Sequence, residues 1–346
     1  MAIFYSSGSL ASAFSGLLAF AIEKMDGVGG LEGWRWIFIL EGLVTVVLGV
    51  GCFWMLPDSP ETASFLSPKE RSFLATRLEN DSGTSAGQVG THDKFHWPTI
   101  LAVFKDWKIY AAVVIFWVRS IIPSQWCKWL SNTSQGNTVS LYSFTYTVPS
   151  VILGLGYTAA NAQLLTMPVY MLSVIGTPII ARFADKYKTR WPFIVGPYSV
   201  ALIGFIGLLA IPHPRYNGLT YACLFLIPIG VNAPQVALIS WVANNLAPSW
   251  KRAVGMALLM TIGNLGGAVG SNIFLSEQAP HYWLGYGGGT FICVAAIVTT
   301  IVLKFEYQRL NKAKEAEGTE EEVRARYTPE ELVQMGDTSP LFKYIV

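Results

Sequence analysis

The chain of 346 residues is 52% hydrophobic and 13% charged, with a mean hydropathy of +0.42, whereas an ordinary soluble domain is roughly 25% charged; water is therefore excluded as its main solvent. The net charge of +2 is spread over many loops, which excludes nucleic acid as a partner. The four cysteines, Cys52, Cys127, Cys223 and Cys293, have no CxxC spacing and read as small buried hydrophobes rather than a disulfide or metal framework.

A helix needs roughly 20 apolar residues to cross the hydrocarbon core. Eight stretches answer to this, at residues 2–22, 36–56, 109–155 (interrupted), 164–183, 191–211, 219–241, 254–275 and 287–303. The first has no basic n-region or cleavage site before it and does not read as a signal peptide. Its small residues, Ser6, Ser9, Ser12, Ala13 and Gly16 among them, recur three and four apart, which permits close approach of another helix. After the second stretch, residues 57–106 are polar, with an amphipathic helix expected over 68–79 and a Gly, Ser and Thr-rich run over 81–91. His92 and His96 stand four apart there and read as a solvated pair, not a metal site.

The third stretch is broken by residues 118–135, which bring in Arg119, Gln125 and Lys128. Charges inside a span are costly without partners, and deleting these residues fuses the flanks into one apolar helix. The insertion reads as a translated intron, with a re-entrant or extracellular loop as the alternative. Beyond the last stretch, 306–346 is charged and reads as a tail, regulatory or merely solubilising.

Nineteen of the 24 Lys and Arg fall on one side of these spans: in 57–108, around Arg182 to Arg190, at Lys251 and Arg252, and in the tail. The positive-inside rule makes that side cytoplasmic and puts both termini inside.

Four groups of residues carry a resemblance. Gly33-Trp34-Arg35-Trp36 leads into the second span and Leu56-Pro57-Asp58-Ser59-Pro60-Glu61-Thr62 leaves it; Lys251-Arg252-Ala253-Val254-Gly255-Met256 and Gly263-Asn264-Leu265-Gly266-Gly267 follow later. Together they resemble the major facilitator superfamily, and within it the fungal anion:cation symporters that include allantoate, nicotinate and pantothenate permeases. The resemblance implies an all-α membrane protein, a major facilitator helical bundle with about eight transmembrane helices present of an expected twelve. Residues 1–56 then read as the last two helices of an N-terminal half, 57–106 as a cytoplasmic linker, 107–306 as a six-helix C-terminal half and 307–346 as a cytoplasmic tail. Residues 181–190 are similar to the superfamily's cytoplasmic signature loop: Asp185, Lys186 and Arg190 match, whereas Ala181 and Lys188 stand where the loop has glycine.

Polar side chains at mid-membrane depth turn inward. Asn137, Tyr142 and Tyr146, then Tyr170, Asn232, Gln235 and Asn264, are the expected substrate-binding set, although Asn and Gln also join helices to one another. Glu41 is the one acidic residue inside a span; it is a proton-coupling or gating candidate, or an ion-pair partner of Arg35. Asp185, Lys186 and Arg190 suit a latch at helix ends. Pro149, Pro168, Pro178, Pro228 and Pro234 offer bends.

No nucleophile with a matching base, Walker loop or metal cluster is legible, so neither an enzyme nor a cofactor is implied. The resemblance implies secondary active transport of a small organic anion, with protons, across the plasma membrane. A truncated, transport-inactive product and a membrane nutrient receptor are the alternatives.

Overall fold

The computed structural model describes residues 2–57, 62–81, 97–117, 158–211, 216–270, 283–328 and 335–346, with residues 148, 152, 156, 331 and 332. Beyond Trp117 the third span lies outside the described residues except for Val148 and Ile152, as do the insertion at 118–135, Asn137, Tyr142, Tyr146, Pro149, His92 and His96.

A backbone in hydrocarbon must satisfy its own hydrogen bonds, so apolar stretches become helices. The first two are α1 (Ala2–Glu23) and α2 (Gly33–Met55). In α1 the hydroxyls of Ser6 and Ser12 donate to the carbonyls of Ala2 and Gly8, so neither is left unpaired in an apolar setting. Ser6, Ser9 and Ala13 are buried along one seam. The turn into α2 closes when Gly33 N donates to Asp26 Oδ1 at 2.7 Å. Helix α2 packs on α1 and leaves Phe38, Val47 and Phe53 on its outer surface.

The polar connection forms α3 (Pro68–Asp81) as its pattern predicts; Ser67 and Glu70 bond each other's backbone at its start, and the bond from the Ser67 backbone lowers the Glu70 pKa. Helices α4 (Trp97–Lys105) and α5 (Trp107–Trp117) meet at Asp106, whose carboxylate accepts from Lys108 N. Then come α6 (Ala159–Tyr187), α7 (Pro192–Ala210), α8 (Asn217–Asn244), α9 (Ser249–Gly270) and α10 (Trp283–Glu315). Helix α6 is capped by Thr158, and α7 opens on proline, where a missing N–H costs nothing. A short α11 (Glu320–Arg326) follows. Among the described residues, six helices are long and apolar enough to cross a membrane: α1, α2, α6, α7, α8 and α10.

Helix α8 is the centre. It packs against α6 and α7 and touches α1, α5 and α9, while α10 lies across α7 and α5, α5 against α9, and α1 against α6. Close approach makes this possible. A Cβ on Gly230 would stand 2.6 Å from Ala201 N and from Pro197 O, so α8 rests directly on the α7 backbone. Gly263 of α9 likewise meets the Phe116 ring of α5, and Gly289 of α10 meets Phe205 of α7. Two hydrogen bonds fix α5 in place: Tyr198 OH to Ile115 O at 3.1 Å, and Trp117 Nε1 to Ile262 O at 3.0 Å.

The tail, read from its charges as a regulatory or solubilising segment, is docked at its end. Its last residues turn back onto the bundle, and Asp337, Ser339 and Tyr344 are buried there. The apolar side chains of the Phe342-Lys343-Tyr344-Ile345-Val346 ending give the physical reason, because they pack against a core cluster that includes Ile109, Trp241 and Tyr307.

Gly230→Val forces α7 and α8 apart and lowers stability by about 1–3 kcal/mol or more. Thermal unfolding in detergent, followed by tryptophan fluorescence, should show the drop, and Gly49→Ala on the open face of α2 should leave the transition unmoved.

Candidate functional site

A row of buried polar side chains lies between α6 and α8. The two helices run parallel: Tyr221 OH donates to Leu165 O at 2.8 Å near one end, and Ser173 Oγ donates to Pro228 O at 3.2 Å farther along. Tyr170, Ser173 and Thr177 lie three and four residues apart on α6, one above another, and all are buried. Asn232 and Gln235 form the facing row on α8. Asn232 Nδ2 donates to Ser173 Oγ at 3.1 Å, which completes a relay from Asn232 through Ser173 to the Pro228 carbonyl.

Gln235 is different. It is 0% exposed, and among the described residues neither its amide nitrogen nor its oxygen has a hydrogen-bond partner. Thr177 Oγ1, at the same level by the parallel register, is in the same position. A buried amide without partners costs about 1–3 kcal/mol, and within the described residues nothing offsets that cost for these two groups. Helix α8 carries no charged residue at all, so the row is neutral and offers dipoles: amide and hydroxyl donors, and carbonyl acceptors.

The structure thus brings three expected site residues, Tyr170, Asn232 and Gln235, to one helix pair and adds Ser173 and Thr177, which the sequence did not single out. Asn264 stands on α9, on an exposed face beside the buried Gly263. Glu41 is exposed on α2. Arg35 pairs with Glu32 at 3.4 Å and lies over the Trp34 ring, so the ion pair it makes is not with Glu41; Glu32 is three residues away, at the helix start.

At the end of the bundle that carries the basic loops, Arg190 Nη1 reaches Asp185 Oδ1 at 2.6 Å across the α6–α7 turn, while Lys186 is exposed. Asp185 is on the last turn of α6 and Arg190 just before α7, so this pair clips the turn. Tyr187 stacks on Phe193 beneath it.

The model of the Major Facilitator Superfamily matches residues 1–271. The chain belongs to the major facilitator superfamily. Relatives include the MFS-type transporter cnsO of Penicillium expansum, 32% identical over the whole chain and 64% of that protein's length. The high-affinity nicotinic acid transporter of Saccharomyces cerevisiae is 26% identical over 91% of the chain and 54% of its own length. The major facilitator-type transporter hxnP of Emericella nidulans is 25% identical over the whole chain and 65% of its length. The chain spans about three fifths of the length of the curated relatives it matches.

Within the superfamily frame the α6–α7 turn has a local peculiarity. Lys188, which stands where the signature loop has glycine, ends α6 with φ 52° and ψ 19°. Left-handed backbone is cheap for glycine and costs a side chain roughly 1–2 kcal/mol. Lys188→Gly should therefore raise thermal stability by up to about 1 kcal/mol, after the entropy that glycine loses on ordering; an unchanged or lowered transition would mean that the lysine side chain makes good the backbone strain.

Proposed function

We propose that this chain belongs to a secondary active transporter that moves a small organic anion together with protons across the plasma membrane, with both termini in the cytoplasm. The observation that carries the reading is Gln235, a buried amide that no described residue satisfies, set in a neutral polar row at the middle of a superfamily bundle. Such a group is kept where a ligand completes its hydrogen bonds. Tyr170, Ser173, Thr177 and Asn232 would supply the neighbouring donors, and Asn137, Tyr142, Tyr146 and Asn264 would line the rest of the path.

Amide and hydroxyl donors suit a carboxylate, and one relative is named for nicotinic acid, a carboxylic acid ionised at neutral pH. Glu41 is assigned to proton uptake or gating as the one carboxylate within α2, and Asp185 with Arg190 to the latch that closes the cytoplasmic face, Lys186 beside them. The side of the bundle rich in Lys and Arg supports the orientation.

The test is uptake of radiolabelled nicotinate and other small carboxylates into proteoliposomes under an inward proton gradient. Saturable uptake that a protonophore abolishes is expected. Gln235→Leu should cut uptake at low substrate by about tenfold or more while raising the thermal stability of the ligand-free protein by about 1–3 kcal/mol, because it removes an uncompensated amide. A structural Gln235 would give the opposite sign in stability. Absence of carboxylate uptake under any gradient sinks the reading.

A further inference from the structure

The end of the bundle that carries the basic loops is closed by the chain's own C-terminus. The segment 336–346 is read largely through its backbone. Asn245, at the end of α8, uses Oδ1 and Nδ2 to bond Ile345 N and O at 2.8 and 2.9 Å, and Trp241 Nε1 adds a third bond to the same carbonyl at 2.7 Å. Asn311 of α10 does the same for Tyr344 N and O, at 2.9 and 2.8 Å. Val346 O accepts from Arg190 N, ahead of α7. Two carboxamides, each satisfying one residue's N–H and C=O, form a template for an extended peptide.

The acidic side chain of the segment is Asp337. Lys251 Nζ, from the first turn of α9, donates to both oxygens of Asp337 at 2.8 Å and lies 3.0 Å from Asp106. Lys108 of α5 sits 3.6 Å from Asp337, and Lys314 of α10 donates to the Asp337 and Phe342 carbonyls. Burial alone would lower the Lys251 pKa; Asp337 and Asp106 more than offset that and hold it above the usual lysine range. The Tyr344 ring is stacked on Tyr307 at 5.1 Å and has Lys314 and Lys108 within 5 Å of its centroid.

Three ammonium groups from three helices therefore meet two carboxylates, and one of the two arrives with the tail. With Asp337 withdrawn, Lys108 and Lys251 keep only Asp106 as a carboxylate partner, Lys314 loses the Asp337 carbonyl, and like charge pushes the ends of α5, α9 and α10 apart. The segment is also separable. Between α10 and residue 336 runs a connection in which α11 buries only Val323, so the segment can leave its seat without unwinding α10.

We propose that residues 336–346 are a releasable strap that ties the ends of α5, α8, α9 and α10 into one block, and that its release governs how readily this end of the bundle opens. The strap regulates the transport path read above and rests on that reading for its effect on uptake, though not for its structure.

Hydrogen–deuterium exchange on the full protein in lipid nanodiscs tests it. The Tyr344 and Ile345 amides should be protected. In Asp337→Ala they should exchange at least about thirtyfold faster, the first turns of α5 and α9 should follow, and mid-helix α7 and α8 should stay as they were. Asp337→Glu should recover part of the protection. Protection at 344 and 345 that is absent in the native protein, or survives Asp337→Ala, overturns the proposal. So does loss of protection throughout α7 and α8, which would make the segment part of the fold, and so do unchanged α5 and α9 ends. In proteoliposomes Asp337→Ala should change the maximal uptake rate by about twofold or more at constant half-saturation; unaltered uptake overturns the regulatory half. No uptake by the native protein rejects the transport reading, and the exchange data still decide the strap.

Discussion

The contact of Gly230 with the backbone of α7 is the constraint on which the rest of the bundle depends. In lipid, helices gain little by hiding apolar side chains from one another, so association rests on close packing and interhelical hydrogen bonds. Gly230, Gly204 and Gly207 let α7 and α8 meet almost backbone to backbone. With α8 fixed on that side, its opposite face is committed to α6, and the level of Ser173 against Pro228 and Asn232 follows. The polar row sits where it does because glycine allows α8 to come so near α7.

Much of this was legible in the sequence. Hydropathy located α1, α2, α6, α7, α8 and the start of α10 to within a few residues, since a helix that must satisfy its backbone in hydrocarbon leaves a long uncharged run behind it; α10 runs on past its apolar stretch to Glu315. Asn232 and Gln235 stood out because amides are conspicuous in such a run. Ser173 and Thr177 did not, because a helical hydroxyl can always bond its own carbonyl four residues back, as Ser6 and Thr166 do here, and the sequence cannot tell that use from any other. The spacing of Asp185 and Arg190 matched a signature loop, but the 2.6 Å pair across the turn belongs to the fold. The tail was least legible. Lys251 and Asp337 are 86 positions apart, and only the apolar character of the last five residues hinted that a charged tail would dock.

The bundle spends its polar groups in two ways. At the basic-loop end, ions meet in mutual contact, with Lys108 and Lys251 each shared between Asp106 and Asp337. Between α6 and α8 the groups are neutral, and two of them lack partners among the described residues. One end is thus closed by ion pairs, while the row between α6 and α8 offers uncharged donors and acceptors.

Helix α10 adds a geometric consequence. With 33 residues it is roughly 50 Å long, well beyond the hydrocarbon thickness, so its last turns stand clear of the apolar run that ends at Leu303. Tyr307, Asn311 and Lys314 recur there at intervals of four and three, on one face, and all three touch the strap. The rod thus sets an angle as well as a height. A single residue inserted between Leu303 and Tyr307 would turn the docking face by about 100°, leaving composition and hydropathy intact while aiming the asparagine and the lysine away from their seat. Sequence length in this short stretch is held by rotational phase.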